Sequence, residues 1–316
     1  MDRVNRKTFA QKLMSQWQLL ILSVPFMLLV FLFAYVPLWG WSYAFFEVNR
    51  ETMLPNFGAF QGFSNFTRAF EHPRFMSTLR NSLVISISRI ITGYLGTITL
   101  ALMINELRVM WFKRTVQTIS YLPHFISWVV AATMISVALS PDGGVVNNVL
   151  IALRVIDSPV NWLMQDNWRI WMVLVLAALW KEIGWGTIIY LAAMSGIDPE
   201  LYEAAQIDGA SRMRRITAIT LPSIMPVIRL LLILSIGNLL SVGFEMYLLF
   251  QRPFTLEYSE VIETLVFRTV WSGTPGRMHR DIPVATAIGI MNSFIAFILV
   301  LTANRVSSKL SGERLF

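Results

Sequence analysis

Six stretches of the chain stay apolar for long enough to cross a bilayer, and each gives way to polar or turn-forming residues. The first, Leu19 to Trp39, holds no charged residue, and Val116 to Leu139 is equally free of formal charge. Leu230 to Phe244 is uncharged too, with Arg229 just before it. A transmembrane helix needs about 20 mostly apolar residues to cross roughly 30 Å of hydrocarbon. On that measure the pattern predicts spans near Leu19–Trp39, Leu83–Ile104, Val116–Leu139, Ile170–Met194, Ile224–Gly243 and Val284–Ala303. The expected fold class is therefore all-α and integral to the membrane. The first span follows Arg6 and Lys12, is too long for a signal peptide and has no small-residue cleavage site, so it reads as an anchor.

Composition sharpens this picture. Of 316 residues, 55% are hydrophobic and only 14% charged, whereas a soluble domain carries roughly 25% charged residues. The absence of cysteine excludes disulfides, a thiolate nucleophile and Cys-ligated metal. Three scattered histidines, His72, His124 and His279, make a His-built metal site a poor expectation. The formal charge is +7, which in a soluble protein would suggest nucleic acid. Its distribution points to topology instead. With six spans both termini share a side, and thirteen Lys and Arg residues collect there, among them Lys7, Lys12, Lys113, Arg114, Arg212 and Arg215. The longer loops opposite hold nine. The positive-inside rule then places both termini in the cytoplasm, with lipid and not nucleic acid as the surroundings.

Between the fourth and fifth spans lies a polar loop, Gly196 to Pro226. Asp198 is placed to cap a helix that starts at Pro199, with Glu200 in its positive first turn. That helix is expected to pass through Glu203, Ala204 and Ala205 and to stop near Asp208-Gly209. Ser211 can cap a second short segment that ends before Leu221-Pro222. A capped helix–turn–helix on the cytoplasmic face suits docking against a soluble partner. In the first outer loop, Phe63, Phe66 and Phe70 share one face of a short helix that Ser64 or Asn65 could cap, read as lying in the headgroup region.

Glu203-Ala204-Ala205, Gly209 and Ile219-Thr220-Leu221-Pro222 resemble the EAA signature of permease subunits in binding-protein-dependent ABC importers. The wider match is to the LplB-type, MalF-related sugar permeases. It is carried by Gln117–Phe125 (QTISYLPHF), Leu139–Gly144 (LSPDGG), Trp180–Thr187 (WKEIGWGT), Val261–Thr264 and Ala303–Arg305. The segment Ser272–Asp281 departs from the family by being longer and more polar. The resemblance implies a six-helix MetI-like type I importer fold: a cytoplasmic N-terminus over 1–17, a permease domain over 18–310 with its coupling loop at 196–222, and a tail over 311–316. It implies a second homologous permease, a cytoplasmic ATPase dimer, an extracytoplasmic sugar-binding protein and a carbohydrate substrate, with alginate-like polysaccharide a specific candidate. ATP and Mg would sit on the partner ATPase, and this chain would bind no cofactor. Glu203 would enter the ATPase cleft, Ala204, Ala205 and Gly209 would allow close approach, and Asp208, Leu221 and Pro222 belong to the same coupling motif.

Charges inside the spans are the remaining candidates. Lys181 and Glu182 fall near the middle of the fourth span, where an unpaired charge is expensive. Neighbours on a helix point about 100° apart, so the two cannot stack on one another. They either line a pathway that meets sugar or form a structural pair across a permease interface. Trp180, Trp185 and Tyr190 could stack on sugar rings, and Asn238, Glu245 and Asn292 are further candidates for polar lining. Arg89 and Arg229 are read as lying near span ends, snorkelling to headgroups, and Pro123 predicts a kink in the third span. No nucleophile–base set and no GxxxxGK[ST] phosphate loop is present, so the chain reads as non-enzymatic. An ion-coupled secondary transporter, which needs no ATPase, is the alternative, as is an importer permease for a non-sugar solute.

Overall fold

The computed structural model describes residues 16–49, 52–164, 168–241, 243–271 and 281–311. The first apolar stretch forms α1 (Trp17–Val30), which widens into a π turn at Phe31–Tyr35 and tightens into 3-10 helix over Val36–Ala44. Apolar all round, α1 buries none of its residues within the chain. A hairpin follows, β1 (Phe46–Val48) and β2 (Pro55–Phe60), antiparallel with Phe46 opposite Phe60 and Val48 opposite Pro55. Next come α2 (Ser64–Phe70), α3 (Phe75–Asn105), α4 (Met110–Tyr121), α5 (Trp128–Ala138) and α6 (Val145–Ala152). Then α7 (Arg169–Ser195) leads to α8 (Pro199–Ile207), α9 (Arg212–Arg215) and α10 (Leu221–Gly237). The chain closes with α11 (Glu245–Phe250), α12 (Leu256–Ser259), α13 (Ile262–Trp271) and α14 (Ile282–Ser311).

Five helical runs among the described residues are long and apolar enough to span a membrane: 17–44, 75–105, 169–195, 212–237 and 282–305. The stretch expected as the third span is a bent pair of helices, long and apolar enough to span a membrane when the two are taken together. Met110–Phe125 and Trp128–Ala138 meet at 104°, so Pro123 marks more than the expected kink. Proline supplies no N–H to the helix ladder and disfavours helix in the residue before it. The chain tightens to a 3-10 turn over Leu122–Phe125, Ile126 becomes extended, and Ser127 starts a new helix by accepting a hydrogen bond from Val130 N at 3.3 Å.

Two further expectations are corrected. Neither Ser64 nor Asn65 caps α2; Phe63 holds that position without a side-chain bond. Asn65 is buried, donating to the Ala44 carbonyl at 3.1 Å, and ties α2 to the end of the first span. Phe57 and Phe60 belong to β2, where both rings meet Phe46. The segment from Ser211 does not stop before Leu221. It continues as one helical run to Gly237 through a π turn at Ile216–Thr220, with Leu221 N–H bonded to the Ile216 carbonyl. The wide turn makes room for the ring of Pro222, which would clash with the carbonyl four residues earlier in a regular helix. Of the polar segment Ser272–Asp281, residues 272–280 lie outside the described residues, as do the basic residues before Gln16 and the tail beyond Ser311. Asp281 forms an ion pair with Arg68.

The bundle is organised around α7, which packs along α3 and against α4 and the 3-10 turn after it. Its core joins Leu174 and Ile170 to Ile85, Tyr247 and Phe250. A second core gathers Leu240, Leu265 and Ile288, and a third Ala101, Tyr190 and Ile224. At the end of the bundle away from α8, the segment 257–262, buried from Ser259 onward, is fastened by the start of α3. Asn81 Nδ2 donates to the Glu257 and Glu260 carbonyls at 2.8 and 3.0 Å, and Ser82 Oγ accepts from Ile262 N at 3.0 Å. The Glu260 side chain is fully buried between Arg74 and Arg268, at 3.0 and 3.2 Å. Burial pushes its carboxyl above the usual range, and the two guanidinium groups draw it part of the way back.

Gly184 sets the tightest contact. A Cβ there would overlap the backbone carbonyl of Ser120 in α4, and backbone cannot swing aside as a flexible side chain can. Gly184→Ala is therefore expected to abolish a monodisperse folded peak in size-exclusion chromatography. Gly196→Ala, whose new methyl would meet only Ala193 O at 3.6 Å, is expected to elute as the wild type does.

Candidate functional site

The broken third crossing and the middle of α7 form one unit. The break at Phe125 frees carbonyls from the helix ladder, and such groups need partners in an apolar setting. Lys181 supplies one: its Nζ donates to the His124 carbonyl at 2.8 Å and lies 5.2 Å from the centre of the Trp128 ring. Lys181 is buried, only 5% exposed, and is absent from the walls of the neighbouring polar cavity. The neighbouring Glu182 leaves the helix about 100° round from it, and both side chains reach His124. Its Oε2 meets His124 Nδ1 at 2.8 Å, while Oε1 stays 3.8 Å from Lys181 Nζ. Trp185, one turn on, stacks flat on the His124 imidazole, with centroids 4.4 Å apart and planes 6° from parallel.

In front of this unit opens a cavity of about 450 Å³, walled by α3, α7, α10 and the residues just after it. Of the sequence candidates, Glu182, Trp185, Tyr190 and Asn238 come together there. Tyr190 is almost wholly buried and shows the cavity little surface, whereas the Trp185 indole is well exposed. The polar lining is completed by Ser86, Arg89, Tyr94, Thr97, Ser235 and Ser241. Tyr94 Oη and Ser235 Oγ share a hydrogen bond of 3.0 Å across α3 and α10.

Three candidates lie elsewhere. Trp180 lines a separate, almost wholly apolar cavity of about 570 Å³ among α5, α6 and α7. Glu245 is exposed at the start of α11, away from the wall of the polar cavity. Asn292 sits on α14 with its Oδ1 buried and without a hydrogen bond in the structure, again outside that wall. Arg89 moves in the other direction. Because α3 begins at Phe75 and not near Leu83, Arg89 is halfway along the helix and faces the cavity, donating to Tyr247 Oη at 3.2 Å. It does not snorkel. The pattern did carry a signal: Phe75 to Leu83 reads FMSTLRNSL, polar enough to hide a helix start but free of proline and glycine. Beside Arg89, Glu263 accepts from Gly243 N at 3.3 Å; burial raises its carboxyl, partly offset by that bond and by Arg89.

The loop after α7 has the two expected caps. Asp198 accepts from Glu200 N at 3.0 Å, with Pro199 as the first helical residue. Gly209 takes φ +75°, and Ala210 N reaches back to the Ala205 carbonyl at 2.9 Å, closing α8 with a left-handed turn that favours glycine. Glu203, Ala204 and Asp208 are exposed, and Ala205 is half-buried. The loop also exposes apolar side chains, Ile207 at 87%, Met213 and Leu201. Tyr202 Oη bonds Thr220 Oγ1 at 2.9 Å, joining α8 to the π turn that leads into α10. Leu221 is half-buried and Pro222 exposed at that same junction.

The family profile described as "Binding-protein-dependent transport system inner membrane component" matches residues 93–311. The polygalacturonan/rhamnogalacturonan transport system permease protein YteP of Bacillus subtilis (strain 168) is 37% identical, over 98% of this chain and 94% of its own length. Protein LplB of the same organism is 34% identical, over 96% of this chain and 92% of its own. Among solved structures, a bacterial ABC transporter involved in the import of the acidic polysaccharide alginate aligns with a TM-score of 0.83 at 36% identity, covering 96% of this chain and 100% of that one. A bacterial alginate ABC transporter in complex with an alginate pentasaccharide-bound periplasmic protein gives 0.84 at 35% identity, covering 98% and 100%.

Lys181→Met keeps the apolar stem and withdraws the donor, leaving the His124 carbonyl unpaired at a cost of about 1–3 kcal/mol. The purified variant is expected to unfold at a lower temperature than wild type, with a smaller loss for Glu182→Gln, which retains an acceptor for His124. An unchanged midpoint for Lys181→Met would show that the carbonyl finds another partner.

Proposed function

The chain belongs to the family of binding-protein-dependent transport system inner membrane components, and on that premise we propose that it is the permease subunit of an ATP-driven importer for acidic polysaccharide fragments. It pairs with a second, homologous permease in a bacterial inner membrane, with both termini on the cytoplasmic side. A cytoplasmic ATPase dimer hydrolyses ATP, and an extracytoplasmic binding protein delivers the sugar. The charged-sugar reading is supported by relatives and solved structures whose names specify polygalacturonan, rhamnogalacturonan and alginate.

One observation carries the mechanical part of the reading: exposed α8 is joined to the cavity wall without a flexible break. Tyr202 grips Thr220, and from Thr220 a single helical run reaches Leu231, Leu234 and Ser235 in the wall. Helix rises about 1.5 Å per residue, so this rod carries a displacement some 20 Å into the membrane. In the proposed cycle Glu203 and the exposed apolar rim of Leu201, Ile207 and Met213 seat in the ATPase. Closure of the ATPase dimer then swings α10 against α3 and α7, opening the cavity to one side and closing it to the other.

The test is uptake by vesicles holding both permeases and the ATPase dimer, with binding protein outside and ATP within. Wild type is expected to accumulate oligouronate only with ATP and binding protein together. Glu203→Ala and Tyr202→Phe are expected to insert normally and retain ATP hydrolysis while moving severalfold less sugar per ATP. Uptake driven by a proton gradient without ATP, or full coupling in both variants, contradicts the reading.

A further inference from the structure

Arg89 lies about 21 Å along the α3 axis from Phe75, deep within a span. Charge at such depth is costly unless it faces a polar cavity or a partner, and Arg89 forms part of the 450 Å³ cavity wall. Its Nη1 donates to Tyr247 Oη at 3.2 Å, and Tyr247 is fully buried, so the phenol is a fixed and neutral rest for the guanidinium. A guanidinium presents five N–H donors in one plane and grips a carboxylate through two of them at once. A group held in this way is oriented before any ligand arrives.

The rest of the wall has the chemistry of a sugar ring's other faces. The exposed Trp185 indole offers an apolar plane to the C–H face of a pyranose, and His124 stacked behind it keeps the plane from turning. Tyr94, Ser235 and Asn238 supply hydroxyl and amide groups for ring hydroxyls. Glu182, held by His124 and by the proximity of Lys181, also faces the cavity. It accepts from hydroxyls and repels a carboxylate, while Arg89 supplies the cation of the same wall.

Building on the importer reading above, we infer that Arg89 is the specificity-determining residue that recognises the carboxylate of a uronate ring. The permease is then itself a filter for acidic over neutral saccharides, in addition to any selection by the binding protein.

The experiment uses the complete importer in lipid nanodiscs without binding protein. Equilibrium binding of trigalacturonate is compared with that of the same trisaccharide after its carboxylates are reduced to alcohols. Wild type is expected to prefer the acidic form by about tenfold or more, the range of a charge-assisted hydrogen-bonded pair. Arg89→Gln is expected to remove most of that preference by weakening the acidic trisaccharide at least about fivefold more than the neutral one, Arg89→Lys to restore part of it, and Tyr247→Phe to narrow it. A wild-type importer with no preference, or an Arg89→Gln variant that keeps the wild-type ratio or weakens both sugars alike, overturns the role given to Arg89. ATP-driven uptake of trigalacturonate in the same preparations separates the two levels. Uptake with an unaltered Arg89→Gln ratio defeats this inference alone, whereas no ATP-dependent uptake by wild type defeats the importer reading as well.

Discussion

A broken helix inside a membrane must find partners for the backbone groups that the break sets free. The whole site follows from how this chain meets that demand. The third crossing stops at Phe125 and restarts at Trp128 at a steep angle, and four residues of α7 close the gap. Lys181 bonds the His124 carbonyl, Glu182 the imidazole nitrogen, Gly184 lets the Ser120 backbone come close, and Trp185 stacks on the ring. Two segments far apart in sequence, QTISYLPHF and WKEIGWGT, are therefore the two halves of one contact. Glu182 and Trp185 reach the cavity only because that contact orients them.

Much of this architecture is legible in the residues, and the reasons differ by element. Long uncharged stretches announce spans because hydrocarbon tolerates little else, and the Asp198-Pro199 start and Gly209 end of α8 follow from cap chemistry that acts within a few residues. What escapes reading is decided at a distance. The FMSTLRNSL opening of α3 is polar because Asn81 and Ser82 fasten the segment 257–262, and Thr78 is buried with them. Those partners lie some 180 residues away, so local hydropathy placed the helix start too late and assigned Arg89 to the membrane surface. Likewise, Asn65 looks like a helix cap until its Ala44 partner is known. His124 stood in a recognised motif, but only the fold reveals its three contacts with α7.

Lys181 and Glu182 divide the labour within the chain. Neighbouring positions on a helix face different directions, and here one direction is the break and the other the cavity. Lys181 is used up in satisfying backbone, which is why it is buried. Glu182 keeps one side to His124 and presents the other to the cavity, and Arg89 stands on the same wall supported by Tyr247. A cation and an anion thus share one polar chamber, each braced by protein groups of its own. A chamber of this kind can bind a ligand that is itself both charged and rich in hydroxyls.

The two ends of the bundle are built for opposite purposes. Away from α8, Glu260 is locked between Arg74 and Arg268, Arg80 lies 4.7 Å from the centre of the Tyr258 ring, and Trp171 donates to the Tyr258 carbonyl at 2.7 Å. Separating these groups would leave buried charge without its partner, which is strongly destabilising, so this end holds its shape. At the α8 end the exposed helix is held to the next run by Tyr202 with Thr220 at 2.9 Å and by Arg215 donating to Gln206 at 3.5 Å. The π turn next to it is the one place where the 212–237 run departs from regular α-helix. In the proposed cycle a displacement applied at α8 passes through residues 216–220 into α10 while the clamped end stays still, and the wall it moves is the one bearing Ser235, opposite Arg89 and Trp185.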